Sequence, residues 1–237
     1  MPGALDLILE NPAIWRGDQY AKVAVDSIAT GFPELDAQLP GGGWPRAALT
    51  ELLVSRPAGE LRVLIPALAQ LSQAEKWLVL VAPPHQPYAP GFQFSGVDLA
   101  RLVVVKTRSD GESLWAAERC LRSGSCAAVL TWTGCGSPPA MRRLQLAAEE
   151  GKGMGVVFGT TRHAAQPSPA PLRMQLSAHR NGLEVQVLKR RGGGWAPSVS
   201  LRMNPEKVVV DGVRVGYAAG IGERQRAGKN ASFKLAT

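Results

Sequence analysis

Short, nearly continuous apolar runs alternate with amphipathic stretches along most of this chain. Residues 49–54, 77–81, 102–105, 127–130 and 154–158 carry apolar side chains at almost every position, the pattern of strands covered on both faces. Between them, residues 59–72, 113–123 and 139–150 repeat apolar residues at three- and four-residue spacing and predict helices. The first helix has its stripe at Leu61, Leu64, Ile65, Leu68 and Leu71, with Pro66 expected to kink it. The second has Leu114, Ala117, Cys120 and Leu121 inside. The third has Met141, Leu144 and Leu146 inside, and Arg142, Arg143, Glu149 and Glu150 outside. Strands alternating with helices mean a mostly parallel sheet between helical layers. After residue 171 the period drops to two. Residues 172–178, 183–188 and 198–203 predict antiparallel strands, the last two joined through Arg191-Gly192-Gly193-Gly194-Trp195, and residues 204–215 add one more short strand. Upstream, residues 23–28 predict a strand and 31–39 a short helix with Glu34 and Asp36 outward. Gly41-Gly42-Gly43 is then a flexible turn before Trp44-Pro45.

The two ends differ from this core. Residues 4–14 carry Leu5, Leu7, Ile8, Leu9 and Ile14, interrupted by Pro12 and followed by Trp15-Arg16, which predicts a short amphipathic helix. Such an arm either folds over its own domain or docks on a neighbouring subunit. Residues 216–237 are small, polar and basic, with Arg224, Arg226, Lys229 and Lys234 near Phe233, and predict a disordered tail. The expected organisation is an arm over 1–22, a core over 23–215 and a tail over 216–237.

Composition narrows the function classes. A chain of 237 residues suits one α/β domain with appendages and can bury a sizeable core. No run is long and apolar enough to span a bilayer, and Met1-Pro2-Gly3 lacks the basic start of an export signal. Cys120, Cys126 and Cys135 are odd in number and not spaced as a metal knuckle, so buried free thiols in a reducing cytosol are expected. A formal net charge of +8 attracts nucleic acid or acidic partners without choosing between them.

The candidate chemistry centres on residues 49–63, a buried strand, a turn with Pro57 and Gly59, and a helix start. That is the order in which a G-x-x-x-x-G-K-[ST] loop cradles phosphates. Laid over residues 54–61, Gly59 matches, but Val54 occupies the first Gly position, Glu60 the Lys position and Leu61 the Ser/Thr position.

The residues around this loop carry a family resemblance. Ile28-Ala29-Thr30-Gly31-Phe32-Pro33-Glu34-Leu35-Asp36-Ala37-Gln38-Leu39, the glycine run and Thr50-Glu51-Leu52 resemble the RecA recombinase family entering its ATPase core. Asn11-Pro12-Ala13-Ile14-Trp15-Arg16-Gly17 and the eroded loop resemble the ImuA branch, RecA-like accessory proteins of a bacterial DNA-damage mutagenesis cassette. SulA division inhibitors are the neighbouring branch. The resemblance spans residues 5–203 and implies a RecA-like three-layer α/β core, with a mostly parallel central sheet, antiparallel C-terminal strands and a degenerate P-loop.

It also implies what is missing. The family's water-activating carboxylate falls at Pro84, beside His85, the only titratable residue of that turn, which is more often a solvated loop residue than a catalytic one. The Walker B Asp falls where the chain reads Thr131-Trp132-Thr133. Loss at three independent places argues against ATP hydrolysis, so no catalytic residue, metal or cofactor is expected. A first DNA loop is reduced to residues 134–139. The nucleotide-sensing Gln falls near Thr160, and a second DNA loop shrinks to residues 164–171, a polyproline-like tether. DNA strand exchange is therefore not expected.

Lys189, Arg190 and Arg191 stand where RecA lysines reach a neighbour's ATP. They read equally as a solvated hairpin end or as a basic interface. With Arg224, Arg226, Lys229 and Lys234 they are the candidates for weak, sequence-independent DNA binding. Leu5, Ile8, Leu9, Ile14 and Trp15 are the candidate protein-interface residues, through which a homo-oligomer could form. The partners implied are an ImuB-like inactive relative of Y-family polymerases, RecA, and indirectly an error-prone DnaE-type polymerase and the sliding clamp. The setting implied is the cytoplasm, at the nucleoid. A SulA-like division inhibitor or a DNA-binding RecA paralogue are the alternatives.

Overall fold

The computed structural model describes residues 26–56, 59–134, 136–180, 182–193, 196–203, 208–210 and 213–215. Its first strands, β1 (Ser27–Ile28) and β2 (Trp44–Pro45), pair antiparallel around the short helix α1 (Pro33–Asp36). Asp36 is half-buried and accepts the Thr30 N–H at 2.9 Å, so it closes the turn rather than facing solvent. The glycine run is an ordered 3-10 turn, Pro40–Gly42, where the Ser27 hydroxyl donates to the Gly41 carbonyl at 2.5 Å.

The chain then alternates strand and helix: β3 (Ala48–Val54), α2 (Ile65–Ser72), β4 (Trp77–Val81), α3 (Ala89–Phe94), β5 (Leu102–Val105), α4 (Asp110–Arg122), β6 (Cys126–Thr131), α5 (Pro138–Gly151) and β7 (Met154–Thr160). Three further strands, β8 (Leu172–His179), β9 (Gly182–Lys189) and β10 (Val199–Arg202), complete one sheet. Among the described residues this sheet has eight strands in the order β10-β9-β8-β3-β7-β6-β4-β5. A separate hairpin joins β11 (Val208–Val210) to β12 (Val213–Val215).

The near-continuous apolar runs follow from cover on both faces. Leu52, Leu80, Leu130, Val156 and Met174 point to the side packed by Val63, Leu64 and Leu68. Leu49, Val79, Val129 and Val157 point to the side packed by α4 and α5 through Ala117, Leu121, Leu144 and Ala148. The result is a mixed α/β protein in three layers, with β3 near the middle of the sheet.

Several expectations change in detail. The stretch 59–72 is not one kinked helix. A 3-10 turn over Glu60–Val63 precedes α2, and Pro66 lies in the first turn of α2, where its missing N–H has no intrahelical partner to lose. Helix α4 starts at Asp110, three residues before the expected position, because Ser109 and Glu112 form a capping arrangement. The Ser109 hydroxyl accepts the Glu112 N–H at 3.2 Å, and Glu112 accepts the Arg108 N–H at 2.8 Å. Strand β8 pairs parallel with β3 and antiparallel only with β9. Leu146 is not inside; it is 46 % exposed on the outer face of α5, whereas Gln145 turns inward and accepts the Leu49 N–H at 2.9 Å.

Candidate functional site

The turn after β3 and the carboxyl ends of β4 and β6 open on one crevice, at the sheet end where parallel α/β sheets place ligands. Strand β3 ends at half-buried Val54, which packs on the core. The chain re-enters at Gly59, whose φ of 75° lies in the left-handed region that favours glycine. Glu60 and Leu61 follow in the 3-10 turn. Val81 leads into Ala82-Pro83-Pro84-His85, and Thr131 into Trp132. Together these segments enclose a cavity of about 350 Å³, walled by Leu61, Ile65, Pro83, Pro84, Phe92 and Trp132, with Glu60 at its edge. Trp132 stacks on Phe158 with ring centroids 4.5 Å apart and planes 9° from parallel, which fixes the indole as a wall. His85 is exposed on the rim. Arg62, the one Lys or Arg of this lining, donates through Nη2 to the Met203 carbonyl at 3.0 Å. Such a cavity suits apolar groups.

Behind β3 lies an ionic cluster that the sequence reading passed over. Glu51 and Arg173 are both buried, and Arg173 donates through Nε to Glu51 Oε2 at 2.6 Å. Ser168 donates its hydroxyl to the other carboxylate oxygen. The rest of the guanidinium holds the connection before β8, with Nη2 on the His163 carbonyl at 2.8 Å and Nη1 on the Gln166 carbonyl at 2.9 Å. The short connection over residues 164–171 is therefore pinned to the sheet by side-chain contacts. The signal was present, since a carboxylate inside an otherwise apolar two-sided strand requires a buried counter-charge.

A second cluster joins α4 to α5. Glu118 is buried and accepts from Arg122 Nη1 at 2.9 Å and from Arg143, while Arg122 Nε reaches Glu150 at 2.9 Å. Burial alone would raise the Glu118 carboxyl, but the hydrogen bonds and charges of Arg143 and Arg122 outweigh it and hold the pKa below the usual 4.5. A folded-state value below the unfolded one gives stability that is fully present above the unfolded pKa and is lost as pH falls through the folded pKa. Unfolding by urea at pH 7 and at pH 3 should therefore show wild type losing more stability to acid than Glu118→Gln does. Equal losses would mean that the cluster makes no pH-dependent contribution. Nearby, Cys126 is buried and Cys120 half-buried, so Cys120 departs from the fully buried stripe expected for α4. The hydrogen bond between these thiols lowers Cys126 to about 7 and raises Cys120. Cys135 lies outside the described residues.

The predicted basic residues separate. Lys189 donates to the Ser168 carbonyl at 2.7 Å, and Arg190 donates to the carbonyls of Gly193, at 3.2 Å, and Gln38. Arg191 is exposed. Leu5, Ile8, Leu9, Ile14, Trp15, Arg224, Arg226, Lys229 and Lys234 lie outside the described residues. Among the described residues, no group of three or more His, Cys, Asp or Glu is placed to hold a metal, and no helix is long and apolar enough to cross a membrane.

A mixed α/β core with this sheet, and with an apolar crevice at its strand ends, carries a segment that matches a known family. The family model described as cell division inhibitor SulA matches residues 49–155. Over these residues the chain is similar to SulA, and individual relatives give the comparison in detail. SulA of Klebsiella aerogenes is 32 % identical over 106 residues, 44 % of this chain and 63 % of that protein. Protein ImuA of Caulobacter vibrioides is 32 % identical over 139 residues, 55 % of this chain and 56 % of that protein. Similarity extends to RecA proteins. The crystal structure of SulA from Pseudomonas aeruginosa is 27 % identical and covers 48 % of this chain and 98 % of that one, with a TM-score of 0.42. The chain spans under two thirds of the length of these curated relatives.

Proposed function

We propose that this protein is a catalytically inactive RecA-like scaffold that supports damage-induced, error-prone translesion DNA synthesis through protein–protein contacts. In this reading the strand–loop–turn over residues 48–63 is a degenerate P-loop, within a core over 23–215 flanked by the arm 1–22 and the tail 216–237. The partners are an ImuB-like protein and RecA, and through them an error-prone DnaE-type polymerase and the sliding clamp. It acts in the cytoplasm, at the nucleoid.

The observation that carries this reading is the chemistry of the crevice. Glu60 stands beside apolar walls where a phosphate cradle needs a cation, and in this reading Pro84 and Thr131 fall where water and metal would need carboxylates. Like charges about 4 Å apart cost on the order of 1 kcal/mol in water and about 4 kcal/mol at an effective dielectric of 20. Similarity to ImuA over 55 % of the chain supports the choice of pathway.

Titration calorimetry with Mg-ATP should give no binding heat, and a micromolar dissociation constant would overturn the inactive reading. Glu60→Lys with Leu61→Thr should still give no turnover, because Pro84 and Thr131 leave water and metal unheld. Tagged protein recovered from DNA-damaged cells should bring down the ImuB-like protein and RecA. The SulA model over residues 49–155 favours a second reading, a division inhibitor that binds the tubulin-like division protein. Overproduction would then give filamentous cells and recovery of that protein instead.

A further inference from the structure

At the opposite end of the sheet, the first residues of β3 and β8 flank a cavity of about 210 Å³. Its walls include Pro45, Pro171 and Leu172, and three arginines, Arg46, Arg190 and Arg191, line it. Arg190 is held in place by its bonds to the Gln38 and Gly193 carbonyls. Arg46 has only a loose ion pair, 3.8 Å from Asp26, with both side chains exposed. Exposed pairs of this kind contribute little. The cavity thus combines an apolar floor with a cationic rim.

The described chain begins at Asp26, itself part of the cavity lining, and residues 1–25 precede it in sequence. That segment has the complementary chemistry. Residues 1–10 contain Leu5, Leu7, Ile8 and Leu9 with Asp6 and Glu10, and no Lys, Arg or His. The other chain end has the wrong sign, with Arg224, Arg226, Lys229 and Lys234 against Glu223. The apolar crevice at the far end of the sheet offers acidic groups no comparable rim, since its Arg62 is engaged with Met203.

We propose that residues 4–10 dock in cis into this cavity, with aliphatic side chains on the proline and leucine walls and Asp6 and Glu10 on Arg46 and Arg191. Fifteen residues span roughly 20 Å by random-coil statistics, and Asp26, to which residue 25 is bonded, lines the cavity. Tethering supplies an effective concentration on the order of millimolar, which makes weak contacts sufficient. This placement does not depend on the scaffold reading.

The test is photocrosslinking in the full chain, with p-benzoylphenylalanine replacing Leu9. Irradiation should give a product of monomer mass, joined to peptides containing residues 40–48 or 171–172. Arg46→Glu with Arg191→Glu should lower the yield about tenfold, the scale of two lost exposed ion pairs. Adding Asp6→Lys and Glu10→Lys to that background should restore it. Both arginines are exposed, so circular dichroism should show the fold unchanged. A dimer-mass product would assign the arm to a second copy and overturn the proposal. A crosslink to another surface, a yield equal to that of the urea-unfolded chain, or indifference to the charge reversals would overturn it as well.

Discussion

Glu51→Leu should lower unfolding stability by about 3–5 kcal/mol, because it leaves the Arg173 guanidinium buried without its counter-charge. Folded domains hold only about 5–15 kcal/mol in all, so this single change brings the protein near its limit. Glu51→Leu with Arg173→Met should recover part of the loss, since apolar pairs commonly replace buried ion pairs without penalty. Recovery stays incomplete here. Arg173 also donates to the carbonyls of His163, Ala164 and Gln166, and those acceptors lose their partner in the double variant. Urea titrations of the four proteins give the coupling energy directly. Amide exchange should quicken across residues 161–170 in both arginine variants. If Glu51→Leu costs under 1 kcal/mol, the pair does not hold the sheet and loop as described.

Gly151→Ala should cost about 3 kcal/mol, the upper range for overpacking, although alanine is normally the better helix former. An added Cβ would lie 1.8 Å from the Leu121 carbonyl oxygen and 3.1 Å from the Gly124 nitrogen, both backbone atoms that cannot rotate away. The last turns of α4 and α5 touch there, so the clash separates the two helices. Gly111→Ala is the control, because the only atom near its Cβ is the Ser109 hydroxyl at 3.9 Å. That variant should unfold within about 0.5 kcal/mol of wild type, as surface changes usually do. Thermal melts would separate the two outcomes. Similar midpoints for both variants would mean that the α4–α5 contact yields easily.

Much of this architecture was legible in the chain itself. The runs 78–81 and 127–130 are apolar without alternation, and both are strands buried at every position, because a residue covered on either face has no polar position to keep. Periodicity reports that a face is buried, and tertiary structure alone decides what it is buried against. Glu51 lies 122 residues from Arg173 in sequence, and Gln145 lies 96 residues from the Leu49 N–H that it accepts. No local pattern of residues encodes either pairing. The crevice is apolar because three chain segments bring Leu61, Pro84 and Trp132 to one point. The parallel pairing of β8 with β3 likewise depends on where the connection after β7 crosses the sheet, and that path is held by a single guanidinium from the strand it leads to.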